Sequence, residues 1–263
     1  MPPQASKPLI VLIPGAFHLP HHYHPITHPL SLLGHPILSI PLTCCGPTPS
    51  SVPLDATPTT DAAALHAHLL PLLDAGHSAL IIAHSYGSRV ATACIQGHTK
   101  PERAARNLPG GILGAIYIAG FAFPARGKNI LGGDGAVLPA AGDGAVIKNG
   151  LISLPESAKA AFYSDVAPEV AEEAWRGLCR YKSLASETAV PGVLEREVAV
   201  PMMYVLCEED RAVEPGVQER MVEVGGFGRV VRVRAGHSPF LSVPREVVGV
   251  VRGFCEEVVG GEI

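Results

Sequence analysis

The apolar positions of the chain fall into short dense runs separated by segments of helical spacing. LIVLIPG (9–15) is one such run, stopped by Pro14 and Gly15, the pattern of a strand buried on both faces and ended by a turn. PILSIPL (36–42) reads as a second strand, limited in length by Pro41. Between Asp61 and Asp74, Leu65, Leu69, Leu72 and Leu73 recur on one side of a helix, with Gly76 beyond its end as a stop. SALIIAH (78–84) predicts a strand and Ser88–Gly97 a helix; GAIYIAG (114–120), PMMYVLC (201–207) and RVVRVRAG (229–236) predict further strands. FLSVPREVVGVVRGFCEEV closes the chain as an amphipathic helix. Strands alternating with helices imply an α/β fold, a mostly parallel sheet with helices on both faces.

One stretch breaks this rhythm. Residues 121–192 contain the glycine-rich GGDGAVLPAAGDGA, followed by the helix-like SAKAAFYSDV and PEVAEEAWRGLCR, with no strand of comparable strength. Residues 1–120 and 193–263 therefore read as the α/β core and 121–192 as an inserted lid or cap, because a long interruption in a compact domain usually carries function or disorder.

Composition narrows the functional classes. Of the 263 residues, 47% are hydrophobic and 17% charged, a globular balance, and the formal net charge is -4. No basic stretch is long enough to follow a phosphate backbone, so no nucleic-acid partner is expected. No apolar run reaches the ~20 residues of a membrane-spanning helix, and Met1–Lys7 with the run after it makes a poor signal peptide, which points to a cytoplasmic address and no membrane partner. Cys44, Cys45, Cys94, Cys179, Cys207 and Cys255 contain no CxxC pair and read as reduced, mostly buried thiols.

Ala83-His84-Ser85-Tyr86-Gly87 follows a predicted strand and opens a predicted helix. It fits the nucleophile elbow G-x-S-x-G with alanine in place of the first glycine. The bend needs small residues two before and two after the serine, and alanine adds only one methyl. A nucleophilic serine needs a general base and a carboxylate to orient that base. Where a nucleophile elbow of this kind is followed along the chain by the acid and then the histidine, His237, in RAGHSPF, is the candidate base, since the other eleven of the twelve histidines lie at or before His98. Asp210 follows the strand MMYVLC in the loop CEEDRAV, with Glu208 and Glu209 as neighbouring competitors. Both loops lie at carboxyl ends of strands, where catalytic groups collect in open α/β sheets. The oxyanion of acyl transfer needs preorganised N–H donors. Tyr86, directly after the serine, is one candidate, and Ala16 in the turn PGAF is the other, with Phe17 next.

Together these residues resemble the α/β-hydrolase superfamily over nearly the whole chain. PGAFH, HSYGS, LCEED and GHSPFLS are similar, more narrowly, to the small methylesterase and hydroxynitrile-lyase branch. The resemblance implies a compact core with a lid, no cofactor, Ser85, Asp210 and His237 as nucleophile, acid and base, and Ala16 and Tyr86 as oxyanion donors. Ala83 stands where glycine is usual, and the first oxyanion turn reads Pro-Gly rather than His-Gly. The lyase members carry a lysine after the catalytic histidine and a threonine beside the oxyanion donor; here Ser238 and Gly15 hold those places, which argues for ester hydrolysis over cyanohydrin cleavage.

The expected activity is a serine hydrolase, carboxylesterase-like, acting on a small hydrophobic ester or lactone, as a monomer or homodimer. The alternatives are a lyase or cyclisation catalyst that uses His237 as base, and a non-catalytic small-molecule receptor. Phe17, His18, His84, Phe121 and Phe123 are candidate substrate contacts, with His84 directed away from Ser85 as a packing or pocket-wall residue if the strand geometry persists. Val137, Leu138, Leu151, Phe162 and Trp175 are further candidate apolar walls. The histidine-rich segment between His18 and His35 has interspersed prolines, no nearby paired carboxylates and no regular helical spacing, and it reads as a surface loop and helix start beside the pocket, with His18 lining it, rather than a metal site.

Overall fold

The computed structural model describes residues 7–129, 132–134 and 145–261. In chain order the strands are β1 (Leu9–Ile13), β2 (Ile37–Leu38), β3 (Cys45–Gly46), β4 (Ser78–His84), β5 (Gly111–Ile118), β6 (Val146–Lys148), β7 (Leu151–Ser153), β8 (Tyr181–Ser183), β9 (Met202–Cys207) and β10 (Arg229–Val233). The helices are α1 (His24–Leu32), α2 (Pro58–Asp74), α3 (Gly87–Ile95), α4 (Lys100–Ala104), α5 (Ala158–Phe162), α6 (Pro168–Arg176), α7 (Leu184–Thr188), α8 (Pro215–Gly225), α9 (Pro239–Ser242) and α10 (Pro244–Gly260).

Six strands form one parallel sheet in the order β10-β9-β5-β4-β1-β2. Alternate residues of β1 enter different cores: Leu9, Val11 and Ile13 face the cluster that includes α2 and α3, while Ile10 and Leu12 face the cluster built on α1 and α10. Burial on both faces is why the central strands are continuous apolar runs rather than alternating ones. The expected strand at 36–42 contracts to Ile37–Leu38 on the sheet edge, because Pro36 and Pro41 have no N–H to give to a ladder.

β1 sits between β2 and β4, so the chain leaves β1 toward one side of the sheet and continues from β4 toward the other. Their carboxyl ends therefore flank a topological switch point, the crevice where open α/β sheets bind ligands. The register Ile13↔Ala83 brings the turn after β1 beside the turn after β4.

The stretch 121–192 holds more extended structure than its sequence shows. β6, β7 and β8 form a small antiparallel sheet, and β3 from the amino-terminal part of the chain completes it in the order β3-β8-β7-β6. Val137 and Leu138 lie outside the described residues. All six cysteines are free and buried.

Candidate active site

Ser85 occupies the turn between β4 and α3 with φ +49°, a left-handed conformation that is rare for a residue with a side chain and stores strain. The strain is held from both sides: the Ser85 N–H donates to the Ile118 carbonyl (2.9 Å), and the Ser85 carbonyl accepts from Ser88 N (3.0 Å) and Ser88 Oγ (2.8 Å). Gly87 explains one small position of the motif. A Cβ there would lie 2.6 Å from the carbonyl oxygens of both Ile13 and Pro14. Ala83, at the other small position, is fully buried between its partners Ile13 and Tyr117.

The turn after β1 reaches this elbow directly, since a Cβ on Gly15 would sit 3.3 Å from Ser85 Cβ. Three amides in that turn have different fates. Gly15 N–H donates to Tyr23 Oη (2.8 Å) and Phe17 N–H to Cys45 Sγ (3.3 Å), whereas the Ala16 and Tyr86 amides have no acceptor among the described residues. Of the two candidate donors in the turn, Ala16 is the one whose N–H has no acceptor among the described residues.

His237 and Asp210 meet as the sequence order requires. His237 Nδ1–H donates to Asp210 Oδ2 over 2.8 Å, in a pair whose side chains are almost fully buried. Asp210 Oδ1 accepts from the Ala212 (2.7 Å) and Val213 (2.9 Å) amides, and Oδ2 also accepts from Gln218 Nε2 (3.0 Å). Glu208 and Glu209 are exposed, and Glu209 pairs with Arg234 (2.7 Å). Burial and geometry thus separate Asp210 from its two acidic neighbours.

His237 hangs beside the elbow through His84, whose Nε2–H donates to the His237 carbonyl (2.8 Å) with the two rings 4.8 Å apart. His84 Nδ1 accepts from Tyr23 Oη (2.8 Å). Both His84 nitrogens are thereby engaged inside the protein, a packing position rather than a polar substrate contact. Burial, then the neighbouring His237 and His18, holds the His84 pKa well below the usual histidine value.

His18 is buried as well, not part of a surface loop. Its Nδ1–H donates to the Ala16 carbonyl (3.1 Å), and its Nε2 accepts from Tyr163 Oη (3.1 Å). Burial is the main reason its pKa falls well below the usual value, with His22 adding to the effect. His22 donates through Nε2 to the Ala174 carbonyl (3.1 Å) and accepts at Nδ1 from Leu19 N (2.9 Å); burial and then His21 pull its pKa to about 4. Among the described residues no group of three or more His, Cys, Asp or Glu is arranged to hold a metal ion.

These assignments set a pH dependence of stability. A histidine whose folded pKa is depressed stays neutral in the fold while the unfolded chain takes up a proton. Its stabilisation is full above the unfolded value of 6.5 and is lost as pH falls toward the folded value, about 4 for His22. Asp61 and Glu195, raised by burial, act in the opposite sense in the carboxylate range. The urea midpoint is expected to drop between pH 7.5 and 5, and His22→Gln to flatten that drop; a midpoint unchanged over this interval rules the assignment out.

From the stretch 121–192, Phe162 stacks on the His237 ring at 5.6 Å, and Asp165 Oδ2 accepts from Gly236 N (2.7 Å), one residue before the histidine. Phe121 and Phe123 pack instead with Leu194 and Val213. Phe123 also borders a separate cavity of about 370 Å³ with Arg89, Thr92 and Glu195. Phe17 is buried with φ +66° and accepts from Cys179 N (2.8 Å), and Trp175 lies inside the main core.

Tyr23, Tyr163, Asp165 and Gln218 also hold these groups in place. Gln218 had a readable signal, a polar side chain in the buried phase of α8 alongside Met221 and Gly225. The others meet partners far away in the chain, and no local spacing announces that.

Residues 10–250 match the family model described as the alpha/beta hydrolase family. The chain belongs to that family. Alpha/beta hydrolase nvfD of Aspergillus novofumigatus (strain IBT 16806) is 29% identical over 259 residues, covering 96% of this α/β-hydrolase and 98% of the relative. Probable hydrolase R7 of Phoma sp. (strain ATCC 20986 / MF5453) is 25% identical over 258 residues, covering 94% and 97%. In fold, this α/β-hydrolase is similar to polyneuridine aldehyde esterase (TM-score 0.72, 17% identity, 94% of this chain and 99% of that one). It is equally similar to tomato methylketone synthase I in complex with 2-tridecanone (TM-score 0.72, 17% identity, 96% and 99%). These neighbours bear out the expected small α/β-hydrolase fold. No helix of the described residues is long and apolar enough to cross a membrane.

Proposed function

We propose that this α/β-hydrolase cleaves a carboxylic ester or lactone of a small hydrophobic molecule through an acyl-enzyme on Ser85. The observation that carries the reading is the buried 2.8 Å hydrogen bond from His237 Nδ1 to Asp210 Oδ2, on a loop tethered by His84 beside a serine at φ +49°. With Nδ1 protonated toward the carboxylate, Nε2 is the bare nitrogen that can accept a proton.

Ser85 Oγ forms a bond to the carbonyl carbon while its proton passes to His237 Nε2. The carbonyl electron pair moves onto oxygen, where the Ala16 and Tyr86 amides receive it. The pair returns as the alcohol leaves, protonated by His237. Water then enters with its proton taken by His237, and the acid departs as Ser85 recovers its hydrogen.

Residues 121–192 act as the lid over this centre, and 1–120 with 193–263 as the core. Phe162 stacked on His237 supports an apolar wall against the substrate. Asp165 on Gly236 N supports a latch between lid and base loop. Asp165→Ala is expected to lower kcat/KM about tenfold, from a charge-assisted hydrogen bond worth about 1.5 kcal/mol, and to speed proteolytic cleavage within 121–192. Unchanged kinetics and an unchanged cleavage rate would remove the latch.

The test of the function itself is a chemical one. Incubated with a series of p-nitrophenyl esters, aryl methyl esters and macrolactones, the enzyme should release alcohol in a burst, and mass spectrometry of a quenched reaction should find the acyl mass on the peptide carrying Ser85. Turnover without an adduct, with His237 still required, would favour a lyase or cyclisation route; tight binding without turnover would favour a receptor.

A further inference from the structure

The catalytic proposal uses Ser85, His237, Asp210 and two amides, yet a second set of buried polar atoms runs behind them. Gly15 N–H can only donate, so Tyr23 Oη accepts from it (2.8 Å) and keeps its own hydrogen free. The His237 carbonyl can only accept, so His84 Nε2 carries the proton of a neutral ring (2.8 Å) and His84 Nδ1 is bare. Tyr23 Oη then donates to His84 Nδ1 (2.8 Å), and the chain has one direction: Gly15 to Tyr23 to His84 to the backbone of His237. Every side chain in it is 2% exposed or less.

This line joins three separate pieces of the site. Gly15 precedes the oxyanion donor Ala16, His84 precedes the nucleophile, and the last acceptor is the main chain of the base itself. The contacts span 8, 61 and 153 positions in sequence. A phenylalanine at 23 and an aliphatic residue at 84 would fill the same apolar space against Phe240, whose ring lies 4.2 Å from Tyr23 and 5.0 Å from His84, but would take from the Gly15 N–H and the His237 carbonyl the partners they have here. What polar groups add there is fixed spacing and orientation.

We propose that Tyr23 and His84 are positioning residues for the acyl transfer, holding the oxyanion turn and the His237 backbone at a set distance on either side of Ser85. This rests on the serine-hydrolase reading above. With the Tyr23 hydroxyl and both His84 nitrogens engaged inside the protein, their loss acts on the alignment of reacting groups and not on binding; a misplacement of about 1 Å can cost on the order of 10²-fold in rate.

Tyr23→Phe keeps the ring and its packing and removes only the relay hydroxyl. It is expected to lower kcat for a p-nitrophenyl ester by about 10- to 100-fold with KM within about twofold, and to slow fluorophosphonate labelling of Ser85 by a similar factor. His84→Gln retains an N–H near the His237 carbonyl and should keep more activity than His84→Leu. The double variant Tyr23→Phe/His84→Gln should be no slower than the worse single variant, since both break one chain. Where Tyr23→Phe does not fold, His84→Gln against His84→Leu reads the same effect. A kcat within twofold of wild type, a change confined to KM, or multiplicative losses in the double variant overturns the proposal. Wild-type enzyme that labels on Ser85 while Tyr23→Phe labels equally fast overturns this inference alone. Wild-type enzyme that neither labels nor hydrolyses any ester overturns the hydrolase reading together with it.

Discussion

Ser85→Ala is expected to lower kcat for any ester the enzyme turns over by on the order of 10⁴- to 10⁶-fold, leaving the residual rate that an oxyanion hole and substrate binding supply alone. The loss is large because no second nucleophile stands at the elbow. Ser88 Oγ is the nearest aliphatic hydroxyl in sequence, and it is committed to the Ser85 carbonyl (2.8 Å) and to the Phe121 amide (2.7 Å), while the Tyr86 hydroxyl donates to Asp61 Oδ2 (3.0 Å). The fold should survive the change. The Ser85 backbone is held by Ile118 and Ser88 through main-chain groups that alanine retains, and the strain of φ +49° is borne by either side chain. The measurement is steady-state kinetics beside thermal unfolding: a collapsed kcat at an unchanged Tm is the expected pair, and a variant retaining a tenth of wild-type kcat would end the acyl-enzyme mechanism. Ser85→Gly offers a companion readout, since glycine adopts positive φ without penalty and should unfold at least as late as Ser85→Ala.

How much of this was legible beforehand follows from where each signal resides. The strand at 78–84 has the bounds its apolar run predicts, because a strand buried on both faces leaves an uninterrupted mark in the sequence. The small sheet of β6, β7 and β8 leaves almost none: three residues per strand are too few for a period of two to show, and its fourth strand comes from Cys45–Gly46, far upstream. SAKAAFYSDV promises a helix to Val166, yet α5 stops at Phe162, and the next residues turn outward to meet the core, Tyr163 at His18 and Asp165 at Gly236. Tertiary partners there outweigh helical propensity. At the site, chain order singled out His237, and the post-strand loop narrowed the acid to three neighbours. Burial and the hydrogen bond from His237 separate Asp210 from Glu208 and Glu209. The buried histidines were the opposite case. A run of imidazoles between turn-forming prolines looks like surface, and only the fold shows His18, His22 and His35 turned inward onto carbonyl oxygens.

Asp210→Asn should lower kcat by on the order of 10³- to 10⁴-fold, and the hydrogen bonds around the carboxylate say why. Its Oδ1 accepts from two main-chain amides, Ala212 and Val213, neither of which can move without remaking the loop. An asparagine must therefore keep its carbonyl oxygen on that side, which turns its NH₂ toward His237 and Gln218. Gln218 Nε2 already donates toward the position of Oδ2 (3.0 Å) and to the Val213 carbonyl (2.7 Å), so donor would face donor on one side. On the other, the imidazole can satisfy the new amide only by accepting at Nδ1, and the proton then moves to Nε2. That tautomer cannot take a proton from Ser85, so the base is lost with little displacement of any heavy atom. Nitrogen-15 NMR of the imidazole should show Nδ1 protonated in the wild type and Nε2 protonated in Asp210→Asn. Glu209→Gln, at an exposed carboxylate paired with Arg234, should leave kcat within about twofold. Should Asp210→Asn stay within tenfold of the wild type, or Glu209→Gln produce the larger loss, the acid has been assigned to the wrong residue and the tautomer argument falls with it.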